Sequence, residues 1–369
     1  MGDMMKKFDK TLFISVILLC LFGLLMVYSS SSIWADYKFG DSFHYLKYQG
    51  VFFVIGLFIM IFISYINPKV YYKYSNKILI FSFILLVLVL IPGIGSVRNG
   101  SRSWFGIGSL GIQPSEAAKI SLIIFTSKYL SRSDYYIKSY FKGLFPILGV
   151  VFLFFGLIML QPDLGTGTII FMSIISILFI AGASMKFFMF GGILGVIGVI
   201  ILIIIAPYRI DRITAFIDPW KDELGTGFQI IQSLYAIGSG GLFGVGLGES
   251  KQKYLYIPEP HNDFIFAVLA EELGFIGCAI VIILFAILIW RGITIAMKAP
   301  DMFGSLLAAG ITSMIAIQVL VNIAVVTASM PVTGMALPFF SYGGTALIIT
   351  LTSIGILLSV SRAGNRSEV

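Results

Sequence analysis

Apolar residues in this chain gather into long runs with no two-residue alternation, broken by short polar connections. Ten stretches are long enough to read as helices crossing a bilayer, which needs about 20 apolar residues at ~1.5 Å rise each. They cover residues 11–31, 46–66, 77–92, 113–130, 144–161, 165–182, 187–207, 264–290, 304–328 and 342–360. The third is short, and only Gln161-Pro162-Asp163-Leu164 separates the fifth from the sixth. The pattern predicts an all-α, polytopic membrane protein: one membrane domain over residues 1–369. The one long polar segment, residues 208–263, forms a loop between the seventh and eighth helices.

Composition agrees. Apolar residues make up 58% of the 369 and charged residues 12%, against about 45–50% and about 25% in soluble domains. A soluble fold could not bury so much apolar surface. The net charge of +7 raises the question of nucleic acid, but its distribution points to membrane orientation. With the N-terminus inside, the inner segments hold 15 of the 25 basic and 5 of the 18 acidic residues, a net of +10 against −3 elsewhere. This is the bias of the positive-inside rule. It puts both termini in the cytoplasm and segments 32–45, 93–112, 162–164, 208–263 and 329–341 outside. ATP-driven chemistry in the long loop is disfavoured. The basic start at Lys6, Lys7 and Lys10 followed by Leu12–Tyr28 lacks a clear cleavage site and reads as a retained first helix. Cys20 and Cys278 fall in apolar runs and read as small core residues.

Ionisable groups in membrane spans are costly and mark a partner or a cavity. Glu116 and Lys119, at i and i+3 in Gln113–Lys119, share one helix face. Asp163 sits at the outer turn between the fifth and sixth helices. A register-locking salt bridge and a polar cavity for a charged or sugar-bearing substrate are both open for these three. Asp263 ends the polar segment where the eighth helix begins. It reads equally as a helix cap and as a catalytic carboxylate. Glu271 and Glu272, two turns further on, require a cavity or a basic partner. The glycine-rich run Gly238–Gly248 lacks the Lys-Ser/Thr ending of a phosphate loop and reads as a flexible or tightly packed bend. Asn99-Gly100-Ser101 is a weak glycosylation pattern, and His44 reads as an interfacial residue. With histidines only at 44 and 261, and no acidic cluster at ligand spacing, a structural metal is disfavoured. Arg98, Arg102, Arg209 and Arg212 suit phosphate oxygens, whether of an ordinary headgroup or a lipid-linked diphosphate.

Taken together and in order, these motifs resemble the SEDS family, the FtsW/RodA/SpoVE proteins of bacterial wall growth. The resemblance spans Asp9 to Arg362. It is carried by Tyr28-Ser29-Ser30-Ser31, Asn99–Trp104, Gln113–Lys119, Gln161–Thr166, Asp218-Pro219-Trp220, Gly227–Ser233, Gly240–Gly248, Pro258–Phe266, Glu271-Glu272-Leu273-Gly274 and Pro338–Gly344. Trp34–Phe39 looks nearer the SpoVE/FtsW branch than RodA.

The resemblance implies an inverting peptidoglycan glycosyltransferase in the bacterial cytoplasmic membrane, serving division or sporulation. It would polymerise lipid II on the outer face, beside a class B penicillin-binding protein that cross-links the glycan. The family's essential carboxylate lies in a His-Thr-Asp-Phe segment and maps to Asp263; this chain has Asn262 where Thr is common. The resemblance maps substrate-binding roles to Glu116, Lys119 and Asp163, with His261, Arg98, Arg102 and Arg212 as further candidates. Asp263 would take the proton of the acceptor 4-hydroxyl while C1 of the undecaprenyl-diphosphate-linked donor is attacked. No cofactor is assigned, and a divalent cation, magnesium or manganese, is a candidate aid to the diphosphate. Two rival classes are a lipid II flippase, which would depend most on the charges in the spans, and a non-catalytic scaffold, which would depend on none of these groups for chemistry. Partners would be membrane lipids and lipid-linked glycan, with no nucleic acid.

Overall fold

The computed structural model describes residues 8–98, 100–106, 111–132, 140–205, 208–254 and 258–367. Asn99, with its glycosylation pattern, lies outside the described residues. So do Asp3, Lys6, Lys7, Asp134, Lys138 and Glu368 of the inner charge count, and the side chains of Arg209 and Arg366.

The chain is a helical bundle. Its elements are α1 (Lys10–Phe39), α2 (His44–Ser64), α3 (Pro68–Leu90), the hairpin strands β1 (Ser96–Arg98) and β2 (Ser101–Trp104), and α4 (Pro114–Leu130). A π turn, Tyr140–Leu144, then leads into α5 (Phe145–Met159), α6 (Leu164–Ile180) and α7 (Met185–Ile205). The long polar segment holds α8 (Tyr208–Ile217) and α9 (Phe228–Gly240). The bundle closes with α10 (Ile265–Met297), α11 (Met302–Val326) and α12 (Gly344–Ser367).

Each of the ten predicted stretches falls on a helix. Among the described residues seven helices are long and apolar enough to cross a membrane; Leu164–Ile180 and Met185–Gly198 are shorter apolar helices, and α4 has 17 residues. The expected ends move. The third span starts at Pro68 rather than residue 77, because Asn67 caps it: its side chain accepts from the Lys69 amide at 2.9 Å, and Pro68 suits the first helical position. The first span runs on to Phe39, where Gly40 takes a left-handed cap at φ 65°. Most of the segment expected as outer loop 32–45 is therefore helix.

Lipid offers no hydrophobic drive to join helices, so packing and polar contacts hold them. On α1 one face is buried (Leu12, Val16, Leu19, Met26), while Ile14, Leu18, Leu21 and Leu25 are exposed along the other. Gly23 lets α1 press against the Phe339–Phe340 backbone, where a Cβ would collide. Ser82 of α3 and Ser121 of α4 share a hydrogen bond of 2.7 Å. Cys20 is buried and Cys278 half-buried, and neither is bonded to another cysteine.

The long polar segment does not simply lie over the bundle. Ile230, Ile231, Ser233 and Ala236 of α9 are buried, and Ser233 donates to the Val326 carbonyl of α11 at 2.7 Å. Beyond α9, the glycine-rich run is a tightly packed bend wedged into a break in α10. Gly274 (φ 63°, ψ −163°) interrupts that helix, a conformation that only glycine takes without strain. The break strands backbone groups in the middle of the helix. Val245 and Gly246 donate to the freed Glu271 and Glu272 carbonyls at 3.0 and 3.1 Å. Phe275 and Ile276 donate to the Gly241 and Leu242 carbonyls at 3.0 and 3.2 Å. Four backbone groups freed at the break are thus paired with the bend, as a low-dielectric setting demands. The first part of α10, residues 265–273, becomes a separate short helix with Asp263 just before it.

Candidate functional site

Two carboxylates end up in opposite local roles. Asp163 caps α6: its Oδ1 accepts the Thr166 amide at 3.0 Å, and Gln113 Nε2 donates to Oδ2 at 3.2 Å. Asp263, the other cap candidate, does not cap. Helix α10 has Phe264 at its capping position and no side chain bonded to its first amides. Among the described residues no side chain donates to the Asp263 carboxyl. Burial raises its pKa to about 6; Glu259 adds to the rise, while its own backbone amide and Arg212 temper it.

What holds Asp263 is its backbone. Asn322 of α11, 1% exposed, donates through Nδ2 to the Asp263 carbonyl at 2.8 Å and to the Met335 carbonyl at 2.6 Å. One amide thereby fixes both the carboxylate's backbone and the connection between α11 and α12. That connection is the hub of the site. Arg212 of α8 donates to the Val332 carbonyl at 3.0 Å. The Thr333 carbonyl and Met335 press on Gly165, two residues beyond Asp163. Gly334, between them, faces the Asp263 carboxylate with open space on that side.

Beside Asp163, Glu116 and Lys119 form an ion pair of 2.9 Å on α4, with both side chains buried. Their charges act on Asp163 in opposite senses, although burial dominates and raises its pKa. Lys119 is thus already neutralised by its own helix. The β1–β2 hairpin is tied to the same turn by Ser101, which donates to the Gln161 carbonyl. Arg98 lies over the Trp104 ring at 4.7 Å and packs its guanidinium on Gly111. Arg102 packs its stem against Gly95 in the same hairpin.

His261 lies elsewhere. It is 2% exposed, with its ring centroid 4.2 Å from Tyr45 and 5.8 Å from Tyr342. Its carbonyl accepts the Tyr342 amide at 2.8 Å. Burial lowers its pKa to about 3, so it stays neutral. His261, a candidate for substrate contact, thus packs against two aromatic rings, with Nδ1 buried and without a hydrogen-bond partner among the described residues. His44, expected at an interface, stacks on Phe39 at 3.8 Å.

The acidic pair also finds its partners. Glu272, fully buried, shares the single Ser29 hydroxyl proton between its two oxygens, at 2.7 and 2.6 Å, and pairs with Lys253 at 3.3 Å. Glu271 accepts from the Ser250 hydroxyl and from the Lys251 and Gln252 amides. The required basic partner is Lys253, which sequence reading left in the loop. Ser29 sits in the Tyr28–Ser31 motif, so that motif serves a buried charge. Asn322 was also missed, although a polar side chain in an apolar run carries the same signal as a charge. Gly334 gave no signal at all.

Among the described residues no group of three or more His, Cys, Asp or Glu side chains converges as a metal site.

Fold and site together define a polytopic membrane protein with a desolvated, non-capping carboxyl where α10 begins. The chain belongs to the FtsW/RodA/SpoVE family, described as cell cycle protein, whose model matches residues 9–366. Stage V sporulation protein E of Bacillus subtilis strain 168 is 54% identical over 354 residues, covering 96% of this chain and 97% of that protein. A probable peptidoglycan glycosyltransferase FtsW of Geobacter sp. strain M18 is 41% identical over 356 residues, covering 96% and 97%. Among solved structures, a chain of a peptidoglycan synthase complex that coordinates polymerization and crosslinking matches with TM-score 0.81 at 30% identity, covering 97% of this chain and 99% of that one. The rod shape determining protein RodA of Thermus thermophilus matches with TM-score 0.70 at 28% identity, covering 97% and 98%.

Proposed function

We propose that this chain is a peptidoglycan glycosyltransferase that polymerises lipid II on the outer face of the bacterial cytoplasmic membrane, with Asp263 as general base. The observation that carries this reading is the state of Asp263. It is held by its backbone, relieved of capping, lifted to about 6 by burial, and open on the side of Gly334. A base poised near neutral pH suits proton abstraction and contributes typically ~10²–10⁴-fold. The names of the relatives support the reaction class, and the charge bias supports cytoplasmic termini and an outer site.

In the proposed step the acceptor 4-hydroxyl oxygen bonds to C1 of the donor sugar. Its proton passes to Asp263, and the C1–oxygen bond to the undecaprenyl diphosphate breaks with inversion. Arg212, which acts electrostatically on Asp263, is the candidate nearest the chemistry for the developing diphosphate charge. Arg98 and Arg102 on the hairpin are further candidates. Glu116, Lys119 and Asp163 would shape the adjoining polar wall; Lys119 pairs with Glu116 and keeps further N–H donors for a phosphate. Any magnesium or manganese would arrive with the diphosphate. The likeness to a peptidoglycan synthase complex supports a class B penicillin-binding protein as partner.

The test is polymerisation of fluorescent lipid II by the purified chain with that partner, wild type against Asp263→Ala. Loss of glycan in the variant is expected, and unchanged synthesis overturns the assignment. Lipid II translocation across vesicles without any polymer would favour the flippase.

A further inference from the structure

At the end of the bundle away from Asp263, a cavity of about 400 Å³ lies among the start of α1, the end of α10 and the end of α12. From Asp263 to Arg291 the chain runs 28 residues, roughly 40 Å at helical rise. The cavity is lined by Lys10, Arg291 and Lys298, with hydroxyls from Thr11, Thr294 and Ser361. Asp9 is the one acid among the described lining residues, and it is fully engaged. Its Oδ1 caps α1 through the Leu12 amide at 2.9 Å, and its Oδ2 takes Nε and Nη2 of Arg291. This fork holds the guanidinium rigid and leaves Nη1 uncommitted among the described residues. The Lys10 ammonium likewise has no partner among them. Trp290, one residue before Arg291, is 66% exposed, and exposed tryptophans gather at the headgroup level of a bilayer.

We propose that this cavity binds the phosphate-bearing headgroup of an anionic membrane lipid. A pre-oriented arginine edge suits phosphate oxygens. The lysines supply the net positive charge that separates an anionic headgroup from a zwitterionic one. The hydroxyls suit the polar atoms around the phosphate, and the volume accommodates a headgroup and not a lipid chain. None of these residues enters the glycosyl transfer proposed for the opposite end, so the two readings stand or fall separately.

The test is native mass spectrometry of the full chain, purified in neutral detergent and supplied with phosphatidylglycerol or phosphatidylcholine. Wild type should retain phosphatidylglycerol in preference. Lys10→Gln/Lys298→Gln should lower that retention ~10-fold or more, since each basic group near an anionic surface is worth about fivefold. Asp9→Asn/Arg291→Gln should do the same: it removes the guanidinium while keeping the helix cap and leaving no buried charge unpaired. The lysine variant, altering only exposed groups, keeps the test alive if the second variant folds poorly. Equal retention by wild type and lysine variant, or equal retention of the two lipids, overturns the proposal. If an excess of inorganic phosphate strips the phosphatidylglycerol, the site takes the free anion and the lipid assignment falls.

Discussion

A Cβ placed on Gly334 would lie 3.9 Å from Asp263 Oδ2 and meet nothing else within 4 Å. Gly334 also sits at φ 69°. Two consequences of any side chain there can be separated. The left-handed backbone costs about 1–2 kcal/mol for alanine and leucine alike. Only leucine extends into the space before the carboxylate. Gly334→Ala should keep glycan synthesis within about tenfold of wild type, whereas Gly334→Leu should lose it by ~10²-fold or more, as misplaced reactants do. Thermal unfolding should shift equally for both. Equal activity of the two variants would remove Gly334 from the acceptor side of the site.

Because the Asp263 pKa is raised to about 6, the polymerisation rate should fall about tenfold per pH unit below that value and level off above it. The rate against pH in single-turnover conditions checks this; a flat profile down to pH 5 contradicts it.

The same shift has a stability sign. A carboxyl whose folded pKa exceeds its unfolded value of 3.8 costs stability as it ionises. That cost is absent below about 4 and complete above about 6, where it reaches up to ~3 kcal/mol. Asp263→Asn should therefore melt higher than wild type at pH 7.5, and the gain should vanish near pH 4. A gain that persists at pH 4 would assign it to packing.

Lys253 and Glu272 form a buried pair at 3.3 Å. Removing one partner strands a charge, at about 3–5 kcal/mol. Lys253→Met should lower the melting temperature sharply, and adding Glu272→Gln should restore most of the loss, since Ser29 can still donate to the amide oxygen. Failure of the second change to rescue would show that Lys253 acts through its bond to the Gly248 carbonyl.

Asn322→Ala should cost about 1–3 kcal/mol for each buried carbonyl it leaves without a donor, and it should reduce glycan synthesis by more than its stability loss explains. Measured turnover well below the folded fraction is the expected result. Activity tracking the folded fraction alone would make Asn322 a packing residue.

The apolar runs were legible because a bilayer demands them: ten stretches became ten helices. Their ends were less legible, since Asn67 and Gly40 set them through local capping that run length ignores. The carboxylates were legible as costly residues, but not in their roles. Asp163 and Asp263 both precede a helix in the sequence, and only one caps. Lys253 and Ser29 looked like loop and motif residues because their partner, Glu272, lies far away along the chain. The rings of Tyr45 and Tyr342 that pack on His261 are invisible until α2 and the segment before α12 arrive.

The sequence by itself determined the solvent of this protein, the helices that solvent requires, the bias of its charges and the family motifs. Those follow from composition and spacing, which are properties of a linear string. Only the tertiary structure decided that the glycine bend heals the break at Gly274. It also decided that Asn322 holds the Asp263 backbone and that Gly334 leaves the carboxyl's face open. Each of these is a contact between segments distant in sequence, and in a medium without water every such polar contact has to be made by the protein itself.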